Sequence, residues 1–178
     1  MRQSAIDICS AGIDAADTLA HIGMSSFRDA YSAHSDPVDL EAHLQEFFAP
    51  QAVRACIESG ASQYLLASVD RRPGGLAKYR PAACPVPGGA TDALELQQLY
   101  VLASVQRHGL GRRLVDALVD VAQGQQRSGI WLSCWEEADW ALNFYLGNGF
   151  VSVGTADFAL GATNYRDFLL WRALPPES

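Results

Sequence analysis

Gln106-Arg107-His108-Gly109-Leu110-Gly111-Arg112-Arg113 gathers, in one short run, the residue types that bind phosphate. Gly109 and Gly111 would let the backbone approach an anion closely and aim its N–H groups at it. Arg107, Arg112 and Arg113 crowd the start of a predicted helix beside His108, in a chain of formal net charge −7. A helix N-terminus carries partial positive charge and prefers acids, so clustered arginines there repel the dipole unless an anion is bound. The same residues also suit a solvated basic helix start with an ordinary glycine turn, because short glycine motifs match by chance. Two phosphate loops are excluded: no Gly-Lys-Ser/Thr follows, and Leu114 stands where the dinucleotide fingerprint requires its third glycine.

Other chemistry-bearing residues have bland readings when taken alone. Tyr145, beside Phe144 on a predicted helix, reads as a half-buried core aromatic. Glu95, near the start of a predicted strand, reads as a solvated or salt-bridged face residue. Cys9, Cys56, Cys84 and Cys134 are unevenly spaced with no Cys-x-x-Cys pair, which predicts reduced thiols and core packing. His21, His34 and His43 lack ligand-like spacing and read as surface or satisfied histidines, so no metal is expected. Trp131 and Trp135 share one strand face and read as core, although an aromatic near a pocket would suit an aliphatic cation.

Positioning these residues requires a strand, a loop and a helix in sequence. Leu110, Leu114, Leu118 and Val121 recur at helical spacing, widened by Val115, Ala117 and Ala122, predicting a helix from about Gly109 to Gln123 with Gly124 as its stop. Ahead of the loop, Leu94 and Leu96 alternate on one phase and Leu99 and Val101 on the other. That shift predicts a β-bulge near Gln97-Gln98, opening a slot whose backbone could accept an extended amide ligand like another strand.

The rest of the chain supplies the frame. A weak strand over Ala5 to Cys9 leads to a helix reaching Tyr31; Ser35-Asp36-Pro37 starts a second, and Ala52 to Glu58 a third. Gln63 to Val69 and Leu76 to Arg80 read as a hairpin around a turn at Asp70 to Gly75, and Pro81 to Asp92 as a surface loop. Ile130 to Trp135 suits a buried strand parallel to the bulged one, Ala138 to Leu146 a helix, and Phe150 to Leu160 with Tyr165 to Leu174 a closing hairpin. That order predicts an α/β sheet of mixed direction.

The pattern Gln106-x-x-Gly109-x-Gly111 after a bulged strand resembles the coenzyme A loop of the GNAT superfamily of N-acetyltransferases, and the resemblance covers nearly the whole chain. A second match is Trp135-Glu136-Glu137 followed by Ala141-Leu142-Asn143-Phe144-Tyr145 and Gly149-Phe150. Phe27-x-x-x-Tyr31, Gly75-Leu76-Ala77-Lys78, Glu95-Leu96-x-x-Leu99-Tyr100-Val101 and Phe158-x-Leu160-Gly161 with Asp167 are similar to the polyamine acetyltransferase branch. The resemblance implies the acyl-CoA N-acyltransferase fold: a mixed, mostly antiparallel sheet with a bulged central strand and flanking helices.

It also implies acetyl-CoA as co-substrate, with Leu99, Tyr100, Val101 and the run from Gln106 to Arg113 binding it and a Val101 N–H polarising the thioester carbonyl. Tyr145 becomes the acid for the departing thiolate, Glu95 a general base acting through water, and Tyr31 a substrate-binding residue. One position departs from the family: Ala138 stands where an Asn commonly helps hold the pantetheine arm, and Asn143 is out of register with it.

Composition bounds the function further. At 178 residues, with 49% hydrophobic content and mean hydropathy near zero, the expectation is one globular domain over residues 1–178. No apolar run approaches the roughly 20 residues that cross a bilayer, and acids occupy Met1 to Ala16 where a signal peptide would be apolar, which leads to a cytoplasmic expectation. A pI near 4.9 argues against nucleic acid or anionic membrane as partner and is compatible with a small cationic amine. The resemblance admits a homodimer. The expected activity is acetyl transfer to a primary amine by direct attack, possible acceptors being a polyamine, a peptide N-terminus or an antibiotic amine; a non-catalytic acyl-CoA-binding module is the competing reading.

Overall fold

A computed structural model describes residues 4–106, 108–160 and 163–175. Its seven strands form one mixed sheet in the order β1-β2-β3-β4-β5-β7-β6. Two compact units divide the chain: Met1–Lys78 with Gln98–Leu114, and Tyr79–Gln97 with Val115–Ser178.

In the first unit, β1 (Ile6–Ala11) pairs antiparallel with β2 (Gln63–Val69), from Ile6↔Val69 to Ala11↔Tyr64. A 3₁₀ turn at Ile13–Ala15 leads into α1 (Ala16–Tyr31), whose buried stripe of Ala16, Leu19, Ala20, Ile22, Gly23, Ser26 and Phe27 follows helical spacing. The Asp36 side chain caps α2 (Pro37–Phe48), accepting from the Val38 and Asp39 N–H groups at 2.8 and 3.3 Å, with Pro37 at the first helical position. α3 (Pro50–Ser59) begins two residues earlier than expected, again on a proline.

The β2–β3 turn differs from the expected Asp70 to Gly75. Asp70 and Arg71 alone turn the chain, with φ of 49° and 65°, and β3 (Arg72–Pro81) starts at once. A two-residue turn with both φ values positive matches the twist of the flanking strands. Asp70 tolerates that conformation because β1's approach secures it: its N–H donates to the Ala5 carbonyl (2.8 Å) and its Oδ1 accepts from the Ala5 N–H (2.9 Å). Pro73, Gly74 and Gly75, which suggested a turn, lie inside the strand instead.

In the second unit, β4 (Leu94–Val101) contributes Leu94 and Glu95 to a parallel ladder with β5 (Gly129–Trp135), as Leu94↔Ile130 and Glu95↔Trp131. The connection runs through α4 (Leu110–Gly124), whose Leu110, Leu114, Val115, Leu118 and Ala122 are at most 1% exposed, as its periodicity predicts. α5 (Asp139–Gly147) precedes the hairpin of β6 (Val151–Leu160) and β7 (Thr163–Ala173). β7 lies between β5 and β6, with a register shift between Ser152 and Gly154.

The predicted surface loop before β4 is a surface loop on one side only. Cys84 and Ala93 are buried in a cluster with Trp131 and Leu169, against which Ala82, Val86, Ala90, Ala156 and Trp171 also pack. Backbone bonds from Ala82 N–H to Ala93 O (3.1 Å) and Cys84 N–H to Ala90 O (2.9 Å) fold it back on itself. Prolines and glycines shape the turn, but the apolar residues among them find a sheet face to cover.

Candidate active site

The loop of the first unit is built on a close approach between β3 and the start of α4. At Gly74, a Cβ would overlap the Val105 side chain; at Gly75 it would lie 3.2 Å from Leu110 and Leu114 and 3.4 Å from the Tyr100 carbonyl. These glycines therefore seat the loop. The Leu102 N–H donates to the Gly74 carbonyl (2.8 Å), a 3₁₀ turn follows at Ala103–Val105, and the Gln106 side-chain amide donates to the Val101 carbonyl (3.1 Å). Gln106 thus ties the loop to the end of β4, a role invisible in its spacing.

Gly109 has φ +75° with open space where a Cβ would stand, and its carbonyl accepts from the Arg113 N–H (3.1 Å) in the first turn of α4. No acid occupies that turn. Gln106, His108, Gly109, Arg112 and Arg113 are exposed, Gly111 is half-buried, and Leu110 is the buried anchor. His108 Nδ1 lies 3.1 Å from the Val105 carbonyl. A helix start turned by glycine, free of acids and bordered by exposed arginines fits a phosphate-bearing coenzyme. Arg107 lies outside the described residues.

Leu99, Tyr100 and Val101 are half-buried, and burial in β4 stops alternating after Leu96. The Tyr100 ring lies edge-on to Phe27 (6.2 Å) and Phe48 (5.7 Å). Tyr31 packs at 4.5 Å from Phe27, which also stacks on His43 at 4.8 Å. Burial holds the His43 imidazole below its ordinary pKa against the opposing pull of Glu46. Tyr31 and Tyr100 therefore share one aromatic cluster, and His43, expected to be a surface or satisfied histidine, belongs to it too.

In the second unit Glu95 is an ion-pair partner. Arg80 Nε donates to its Oε2 at 2.5 Å, with the Glu95 side chain 16% exposed and that of Arg80 46%. Arg80 escaped sequence reasoning; opposite charges on neighbouring strands are legible only once register is known. Tyr145 is half-buried on α5, its ring edge-on to Phe144 (5.3 Å) and to buried Phe150 (5.6 Å). Ala138 is fully buried as the N-cap residue of α5 and accepts from the Ala141 and Leu142 N–H groups, both at 2.9 Å. Trp131 is buried as expected, whereas Trp135 is half-buried and edge-on to Tyr165 (5.6 Å).

Two buried titratable groups were not expected to interact. Burial raises the Asp167 carboxyl above its usual range, opposed by a hydrogen bond from Ser133. Burial, then the Asp167 charge, pushes the Cys134 thiol up to about 12. Such a thiol is almost wholly protonated near neutrality and a poor nucleophile. Among the described residues no group of three or more His, Cys, Asp or Glu could hold a metal ion, and no helix is long and apolar enough to cross a membrane.

Comparison with known proteins follows the same lines. A family model described as the acetyltransferase (GNAT) family matches residues 20–150. An uncharacterised N-acetyltransferase from the pepI 3′ region of Lactobacillus delbrueckii subsp. lactis is 26% identical over 153 residues, 86% of this chain and 88% of that protein. The PaiA N-acetyltransferase of Thermoplasma acidophilum, solved with coenzyme A, superposes with a TM-score of 0.79 at 18% identity, covering 96% of this chain and 99% of that one. A ribosomal-protein-alanine N-acetyltransferase of Brucella melitensis gives 0.69 at 19% identity, covering 94% and 99%.

Proposed function

The chain belongs to the acetyltransferase (GNAT) family and is an acetyl-CoA-dependent acetyltransferase, and from that premise we propose that its acceptor is a primary amine, with a polyamine as the favoured class. The observation that carries the coenzyme half of this reading is the start of α4: a positive-φ Gly109, no acid in the first turn, and exposed Arg112 and Arg113. Residues 106–113 would hold the phosphates, and the backbone of the half-buried residues Leu99 to Val101 the pantetheine amides. The acidic balance of the chain, net −7, supports a cationic acceptor.

Chemically, the thioester supplies an activated acetyl carbon: the amine nitrogen bonds to it, the C–S bond breaks, and coenzyme A leaves with the electron pair on sulfur. Glu95 takes the first proton of the acceptor ammonium through water, because an amine protonated near neutral pH cannot attack. A Val101 N–H would donate to the carbonyl oxygen as charge develops there. Tyr145 gives its hydroxyl proton to the sulfur and recovers one from the amide nitrogen, so the reaction releases a single net proton. No covalent enzyme intermediate is needed, and the high pKa of the Cys134 thiol agrees with that.

The test is a thiol-release assay coupled to product mass spectrometry, with spermidine, an aminoglycoside and a short peptide competing as acceptors. Preferential acetylation of spermidine is expected. Preference for the peptide N-terminus or the aminoglycoside would replace the acceptor class. Thermal stabilisation by acetyl-CoA without turnover on any of the three would favour a non-catalytic acyl-CoA-binding module.

A further inference from the structure

The sequence puts Arg80 and Glu95 fifteen positions apart, and the fold brings them together on β3 and β4. Three ion pairs occur among the described residues, and this one differs from the others in burial. Arg28–Glu41 and Arg54–Asp17 join side chains that are all more than 40% exposed. Glu95 is 16% exposed. A carboxylate so shielded has lost much of its hydration, and a guanidinium beside it offsets that loss.

The bonding is also incomplete in an informative way. Glu41 uses both oxygens, accepting from Arg28 at Oε2 and from Gln45 at Oε1. Glu95 uses Oε2 for Arg80, and among the described residues Oε1 has no hydrogen-bond donor. Arginine engages it through Nε, with a planar group whose direction is set by its own stem. One oxygen is thereby fixed, and the other is left to accept a proton from water or an ammonium.

The surrounding backbone braces this geometry. One residue beyond Pro81, the Ala82 N–H donates to the Ala93 carbonyl at 3.1 Å, two residues before Glu95. The Ala82 carbonyl in turn accepts from Trp131 Nε1 at 2.9 Å, and Trp131 is the register partner of Glu95 on β5. Chain segments next to both members of the pair are thus tied to each other and to the strand beside Glu95. An exposed ion pair contributes little to stability because solvent screens it. With Arg80 at 46% exposure, the consequence of this one lies in where it holds the carboxylate.

We propose that Arg80 is a positioning residue for acetyl transfer, fixing Oε2 of Glu95 so that Oε1 faces the water that carries the acceptor's proton. This rests on the reading of Glu95 as the general base. In this role Arg80 needs no contact of its own with acetyl donor or acceptor. Its contribution should therefore pass entirely through Glu95, which a double-mutant cycle measures directly.

The experiment uses the full chain with acetyl-CoA and whichever amine of spermidine, aminoglycoside and peptide it acetylates fastest. Arg80→Gln, Arg80→Lys, Glu95→Gln and the Arg80→Gln/Glu95→Gln pair are compared for kcat, KM and thermal midpoint. Glu95→Gln is expected to lower kcat by about tenfold or more and Arg80→Gln by about fivefold, with the KM for acetyl-CoA within about twofold of the parent. Arg80→Lys, which keeps the charge on a less directional group, should recover to within about threefold of the parent. In the Glu95→Gln background, Arg80→Gln should change kcat by less than about twofold. Wild-type kcat for Arg80→Gln, or a loss that multiplies fully with that of Glu95→Gln, overturns the positioning role while leaving Glu95 as base. Near-wild-type kcat for Glu95→Gln instead removes the base assignment on which the proposal rests.

Discussion

Tyr145 illustrates how little of a side chain need change to test its chemistry. Its ring is held edge-on by Phe144 and buried Phe150, so Tyr145→Phe removes the hydroxyl and keeps the packing. Acid catalysis is typically worth roughly a hundredfold to ten-thousandfold, so turnover should fall by at least about tenfold, while acetyl-CoA affinity stays within a few-fold. Steady-state kinetics with calorimetry checks both; a stable variant with parental turnover would exclude Tyr145 as acid. At Glu95, substitution by Gln should lower turnover by about tenfold or more while acetyl-CoA affinity holds, and a folded variant with near-parental turnover would place the base elsewhere. Both residues entered as candidates only through the family resemblance, since each reads alone as an ordinary core or face residue. Arg80 did not enter at all, because its partner lies on another strand and no periodicity links the two.

At the scale of elements, the loop proposed to bind coenzyme A depends on the strand beneath it. Gly111→Asp should weaken acetyl-CoA binding strongly, since it adds bulk and negative charge at a helix start expected to face phosphate. Unchanged affinity by calorimetry in a folded variant would remove the loop assignment, whereas Arg112→Ala should act less and fade at high salt. Gly74→Ala tests the seat instead. Its new Cβ would overlap Val105, so overpacking of about 1–3 kcal/mol is expected, with a thermal midpoint lower by several degrees and weaker coenzyme binding. An unshifted midpoint and unchanged affinity would mean that the loop accommodates the methyl group. The helices α1, α2, α4 and α5 were readable from apolar spacing and from Asp36-Pro37, which act within a turn or two. Pro73-Gly74-Gly75 misled because glycine serves both turns and close packing, and the sequence does not say which backbone will approach.

For the molecule as a whole, stability should carry a signature of the half-buried His43 imidazole. His43 is held below its ordinary 6.5 mainly by burial, its ring stacked on Phe27 at 4.8 Å and tilted against Phe47 at 4.6 Å. Below pH 6.5 the unfolded chain binds this proton more readily than the folded one, so stability should fall as pH drops through about 6.5 and level off below the folded value. His43→Gln should remove that component; melting curves of both proteins between about pH 7.5 and 5 give the difference, and parallel curves would contradict it. By itself the sequence determined the mixed α/β class and the glycine-bearing helix start, because those follow from residues within a few positions of each other, while the acid and base candidates came only from the resemblance carried by two motifs at a set separation. Tertiary structure alone decided that Arg80 engages Glu95, that residues 82–93 fold over Trp131 and Leu169, and that Gly74 and Gly75 give way to Val105, Leu110 and Leu114 at the start of α4. Each of those depends on which strands become neighbours and in what register, and pairing between segments distant along the chain is settled by burial in the folded sheet rather than by local preference.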